Sequence, residues 1–171
     1  MYAPIQRKIH ALMAVLIFVM IPLGLVLPNL PEGPRAAFFY EMHKSIGILL
    51  LILLPLRFLS RMILGAPDDP AQIDPRLYRL AKIAHAMLYG LMLFVPIAGL
   101  VATASCCAPV AFLGLLPLPL SLEVSEAVTK FLFLLHERGA WILGLAIIVH
   151  VGMALWHRRK DDGVFDRMWS R

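Results

Sequence analysis

Four apolar stretches of membrane-spanning length, at about 9–28, 43–64, 82–104 and 134–156, constrain this chain more than any other feature. Each is close to the ~20 residues that carry a helix across a bilayer. Composition agrees: 60% of the 171 residues are apolar, 16% are charged, and mean hydropathy is +0.79. Soluble domains average roughly 45–50% apolar and 25% charged, so too little polar surface exists here to keep such a domain in water. The reading is an all-α integral membrane four-helix bundle, one domain over residues 1–171, with no room for a separate soluble enzyme or ATP-hydrolysing domain.

Pro22, Pro55 and Pro96 fall inside the first three stretches. Transmembrane helices accept proline, because neighbouring helices and local adjustments satisfy the freed carbonyls. A fifth apolar run, Ala108 to Leu122, is broken by Pro117 and Pro119 and reads as an interfacial segment. The segment 65–81 reads as a polar linker with turn-forming Asp-Pro and Pro-Asp pairs. Cys106 and Cys107 are adjacent, so an ordinary loop-closing disulfide between them would be badly strained.

Charge orients the bundle. With four spans, the side holding both termini collects Arg7, Lys8, Arg57, Arg61, Arg76, Arg79, Lys82, Arg158, Arg159, Lys160, Arg167 and Arg171. The opposite side receives Arg35, Lys44, Lys130 and Arg138, together with Glu32, Glu41, Glu123, Glu126 and Glu137. This asymmetry places both termini on the cytoplasmic side of the membrane. It also explains the net charge of +5 without nucleic acid. Arg7 and Lys8 before an apolar run resemble a signal peptide, but no small-residue cleavage site follows, so the first stretch is read as a retained span.

All six histidines, His10, His43, His85, His136, His150 and His157, lie in or at the ends of the four spans. One intramembrane histidine can be a satisfied core residue; six together point to function. On the fourth helix His136, His150 and His157 are separated by 14 and 7 residues, which places them within roughly 60° on one face. His136 and His150 are about 21 Å apart along the axis, and His157 lies about 10 Å further on. These separations argue against one shared metal ion and suit two planar cofactors at two depths. Depth pairs His43 with His136 at the outer boundary, His10 with His150 in the inner leaflet, and His85 with His157 near the inner surface. Two imidazoles per haem close both axial positions and favour electron transfer. The chain has no C-x-x-C-H motif, so the haems are expected to be b-type, without thioether links. Gly47, Gly139, Gly144 and Gly152 would let macrocycles approach helix backbones, or would serve ordinary helix packing.

Four segments carry a family resemblance: QRKIHALMAVLIF, EMHKSIGILLLILLPLRFLSR, LAKIAHAMLYGLMLFVPIAGL and LHERGAWILGLAIIVHVGMALWHRRKDD. The chain resembles the bacterial cytochrome b561 family of diheme four-helix membrane proteins, which includes the superoxide oxidases. The resemblance implies His10 and His150 as axial ligands of the inner haem b and His43 and His136 as those of the outer one. In the superoxide oxidase branch it implies His85 and His157 at a ubiquinone pocket. Ala11 replaces a frequent tryptophan, and the segment Ser105 to Lys130 matches poorly.

Three functions follow. The first is a diheme oxidoreductase that passes electrons from superoxide at the periplasmic face to ubiquinone at the cytoplasmic side. Arg35, Lys44 and Arg138 would then steer the anion toward the outer haem or serve as ordinary headgroup-level cations. Trp156 and Tyr89 would pack on the quinone or form an interfacial aromatic belt, the reading that suits Trp156 better. The second is a cytochrome b relay or anchor subunit for a periplasmic redox enzyme. The third is a non-redox transporter or structural membrane protein with histidine proton relays.

Overall fold

The computed structural model describes residues 1–68, 74–107 and 110–169. Four helices dominate it: α1 (Pro4–Val26), α2 (Pro34–Leu64), α3 (Pro75–Cys106) and α4 (Glu126–Lys160). Proline opens the first three, where its missing N–H is one that a helix start leaves unpaired anyway. Asp74 caps α3 by accepting the Arg76 amide at 2.7 Å, and Ser125 caps α4 by accepting the Val128 amide at 3.4 Å. α2 stops at Gly65, whose φ of +72° a side chain would strain.

All four helices are long and apolar enough to cross a membrane. Pro22, Pro55 and Pro96 sit within continuous helix. The helices outrun the apolar stretches that announce them: α4 has 35 residues, or about 52 Å, against a hydrocarbon core of ~30 Å. Its last turn, His157 to Lys160, is entirely basic, which suits the negative end of the helix dipole. The expected linker at 65–81 is shorter than anticipated, because Pro75 already starts α3; residues 69–73 of it lie outside the described residues.

Packing is inside out relative to a soluble bundle. Ile63, Leu145 and Ile148 are 78%, 63% and 69% exposed, as lipid-facing side chains must be, while Gln6 and Ser45 are buried. A small apolar core of Met13, Ile46, Leu50, Leu53 and Leu54 joins α1 to α2, with Tyr89 and Met92 of α3 against it. Gln6 accepts the Ala3 amide at 2.9 Å and donates to the carbonyls of Ser60 at 3.2 Å and Gly65 at 3.0 Å. It thereby ties the start of α1 to the end of α2. α1 packs along α2, α2 along α3, and α3 most extensively along α4. Among the described residues the close backbone approach of α4 is to α3, and α1 and α2 stand further from it.

The apolar run after α3 forms no fifth span. Its residues 108 and 109 lie outside the described residues; beyond them β1 (Ala111–Phe112) pairs antiparallel with β2 (Leu116–Pro117). Leu113 and Gly114 turn the hairpin with φ of +55° and +66°, the left-handed geometry that tight hairpins use. The Leu113 amide donates to Ser45 Oγ at 2.7 Å and the Leu122 amide to the Ala104 carbonyl at 2.9 Å, pinning the hairpin to α2 and α3. Cys106 and Cys107 are joined as a disulfide between neighbours, which closes no loop. After α4 a short turn, Phe165–Arg167, folds the C-terminus back: the Tyr2 amide donates to the Arg167 carbonyl at 3.0 Å, and Arg7 Nε to the Met168 carbonyl at 3.0 Å.

Candidate functional site

Imidazoles of α1, α2 and α3 meet those of α4. His43 of α2 faces His136 with ring centroids 6.0 Å apart and planes at 84°; His10 of α1 faces His150 at 6.3 Å and 69°. Two metal–imidazole bonds of about 2 Å, plus about 1.1 Å from each nitrogen to its ring centre, require roughly 6.2 Å between centroids. Both pairs therefore have the separation that one six-coordinate iron between two imidazoles needs. Among the described residues no three His, Cys, Asp or Glu side chains converge on a common point, so a bare metal cluster is not built here.

The surroundings of the first pair fit such a group. His136 Nδ1 donates to the Val95 carbonyl at 2.8 Å, which fixes the ring and leaves Nε2 free for a ligand bond. Gly99 makes this possible, since a Cβ there would lie 2.6 Å from His136 Nδ1. His43 rests on Gly24, where a Cβ would come within 3.3 Å of Cε1, and its buried Nδ1 has no hydrogen-bond partner among the described residues. A buried imidazole nitrogen left unpaired by protein atoms suits a cofactor ligand. Sequence reasoning missed Gly24 and Gly99, because a helical glycine carries the same signal whether it clears a ligand or packs a helix. Of the glycines it did single out, Gly144 and Gly152 face open space. Gly47 makes ordinary contact with Met20, and Gly139 is pressed against Val95 and Phe94.

The second pair has a third imidazole beside it. His85 lies 5.5 Å from His150, and Trp169 of the C-terminal segment lies 6.2 Å from His10. Expected beside His157, His85 instead joins the His10–His150 cluster; among the described residues no ring contact links His85 and His157. His157 Nδ1 donates to Asp162 Oδ2 at 2.6 Å, and its ring lies 4.8 Å from Trp156. Desolvation alone would raise the Asp162 carboxyl, but hydrogen bonds from His157 and the Val164 amide, with His157 and Lys160 nearby, hold it below its ordinary value. The Asp162 contacts are thus at full strength at neutral pH and fade only in acid, as the carboxylate protonates. Tyr89 packs at 6.1 Å from Phe58, and Trp156 carries Lys160 Nζ over its ring at 4.0 Å.

The three cations expected near the other end differ. Arg35 and Arg138 are exposed, whereas Lys44 is half-buried and ion-paired with Glu41. Arg35 also lies over the Phe39 ring at 6.0 Å.

A family model for prokaryotic cytochrome b561 matches residues 1–171. The chain is also 31% identical over 178 residues to cytochrome b561 homolog 2 of Escherichia coli (strain K12), covering 99% of this chain and 92% of that protein. Four spanning helices with histidine pairs at two levels, and a match along the full length, lead to one conclusion: this chain belongs to the prokaryotic cytochrome b561 family of membrane electron-transfer proteins, whose cofactor is b-type haem.

Proposed function

We propose that the protein is a superoxide oxidase of the bacterial inner membrane, holding two haems b and passing electrons inward from periplasmic superoxide to ubiquinone. The observation that carries this reading is the two imidazole pairs, at 6.0 and 6.3 Å, set at two levels of one bundle. His43 and His136 would hold the outer haem, and His10 and His150 the inner one. Each haem, when bound, supplies one-electron oxidation and reduction. The basic bias of the end that holds the termini supports a cytoplasmic location for it.

The chain's own residues position and protonate. Val95 and Gly99 hold His136 in its ligating orientation. Arg35 and Arg138 present exposed positive charge to an approaching anion. At the inner end, Asp162 fixes the His157 ring with its Nε2 free, while His85 stands beside the inner pair. An imidazole N–H can donate a hydrogen bond to a quinone carbonyl, and the ring can pass protons to and from water. In balance, two superoxide anions each lose one electron to become dioxygen, and ubiquinone gains two electrons and two cytoplasmic protons to become ubiquinol.

The test is a spectrum of purified protein before and after superoxide, followed by ubiquinone. Haem reduction by superoxide and reoxidation by ubiquinone are expected, and His85→Ala and His157→Ala should each slow the second step while keeping both haems. A histidine whose replacement removes a haem is a ligand instead, and haems that superoxide leaves oxidised exclude it as donor. One observation favours the relay reading: the hairpin tip exposes Leu115 and Leu116 at 85% and 60%, an apolar surface that a periplasmic redox enzyme would cover.

A further inference from the structure

Arg57 and Arg61, one turn apart on α2, line a small pocket with Tyr2, Gln6, Tyr89 and Met168 at the end of the bundle that holds the termini. Arg57 donates to the Gln6 carbonyl at 3.3 Å and hydrogen-bonds the Tyr89 hydroxyl. Arg61 donates to the Tyr2 hydroxyl at 2.9 Å, its guanidinium 5.7 Å from the centre of that ring. Each guanidinium has five N–H donors, and these partners are neutral. Among the described residues neither arginine faces a carboxylate: the ion pairs are Lys44–Glu41, Lys130–Glu126 and His157–Asp162. A half-buried cation inside a spanning helix is costly unless an anion meets it.

What anion comes to this place follows from its neighbours. Arg57 lies within electrostatic reach of His10, His85 and His150, and Arg61 within reach of His85. The group held between His10 and His150 is therefore the nearest source, and haem b carries two propionate carboxylates. The planar guanidinium fork binds a carboxylate through two parallel hydrogen bonds, which an ammonium cannot match. We propose that Arg57, backed by Arg61, is the carboxylate site for a propionate of the inner haem, fixing which edge of the macrocycle faces the termini. The inference rests on the assignment of His10 and His150 as the inner pair. A cation so placed favours the reduced iron and raises the inner potential.

The experiment compares wild type, Arg57→Gln and Arg57→Lys carrying haem isotope-labelled at the propionate carboxylates. The readouts are redox-difference infrared spectra, haem count and midpoint potentials in nanodiscs of anionic or purely zwitterionic lipid. In Arg57→Gln the labelled carboxylate bands should move, and the inner haem's reduction equilibrium should fall about tenfold, or 59 mV for one electron, with the outer haem unchanged. Arg57→Lys should give a smaller potential change with the same loss of the bidentate band. If Arg57→Gln loses the inner haem on purification, the infrared comparison between wild type and Arg57→Lys decides. Unmoved carboxylate bands overturn the proposal. So does a potential difference that vanishes in zwitterionic lipid, because the anion would then be the headgroup of an anionic lipid; a phosphate of either lipid would leave the labelled carboxylate bands unmoved. His150→Ala is the separate control: retention of both haems there sinks the ligand pair, whatever Arg57 does.

Discussion

A Cβ placed on Gly99 would lie 2.6 Å from His136 Nδ1 and 2.8 Å from its Cε1, closer than packed atoms tolerate. Since His136 also donates to the Val95 carbonyl one turn away on the same helix, the ring has nowhere to retreat without giving up that bond. Gly99→Ala is expected to displace the imidazole, cost about 1–3 kcal/mol of overpacking strain, and lower the haem count from about two per chain toward one. Pyridine haemochrome analysis checks it, and selective loss of the outer haem's spectrum identifies the pair. The histidines themselves were legible, since the 14-residue spacing of His136 and His150 fixes a shared face. Two of the three pairs that depth proposes, His43 with His136 and His10 with His150, meet as rings, whereas His85 meets His150 and, among the described residues, not His157. The place of His85 was not legible, because it depends on how α3 rotates against α4, and depth along the axis says nothing about rotation.

Individual elements show the same division. Spanning helices announce themselves through continuous apolarity, but the loop after α3 does not, because its leucines would suit lipid, a core or a partner equally. Its position is set by Ser45, which donates to the Glu41 carbonyl at 2.7 Å and accepts the Leu113 amide at 2.7 Å. Ser45 lies two residues from His43, so the hairpin and the outer pair share a support. Ser45→Ala would remove the acceptor of the Leu113 amide in a part-buried hydrogen bond, a loss worth about 0.5–1.5 kcal/mol. Faster hydrogen exchange is expected at residues 110–118, with α4 unchanged; exchange equal to wild type would show that the hairpin is held elsewhere.

For the molecule as a whole, the proposed steering of an anion rests on charge distribution at the end that holds Arg35, Lys44 and Arg138. Lys44 is tied to Glu41, so its field is largely cancelled, whereas Arg35 and Arg138 are exposed. If superoxide is the donor, neutralising Arg35 and Arg138 together should slow haem reduction several-fold at low salt, while Lys44→Gln has a smaller effect. The difference should shrink as ionic strength rises, since the Debye length is about 10 Å at 0.1 M. Stopped-flow reduction at two salt concentrations reads it, and equal rates in all variants at low salt would leave these cations in an ordinary headgroup role.

The sequence alone determined that this chain crosses a membrane four times and that its histidines recur at defined depths. Both follow from one-dimensional quantities: apolar length against bilayer thickness, and 1.5 Å of rise per residue. Only the tertiary structure decided which rings touch, that Gly24 and Gly99 make room for them, that Lys44 is neutralised by Glu41, and that among the described residues Arg57 stands without a carboxylate near His10 and His150. These depend on helix rotation and on how far α1 and α2 stand from α4. In a bundle whose outer surface is nearly uniformly apolar, no amphipathic stripe records how each helix is turned.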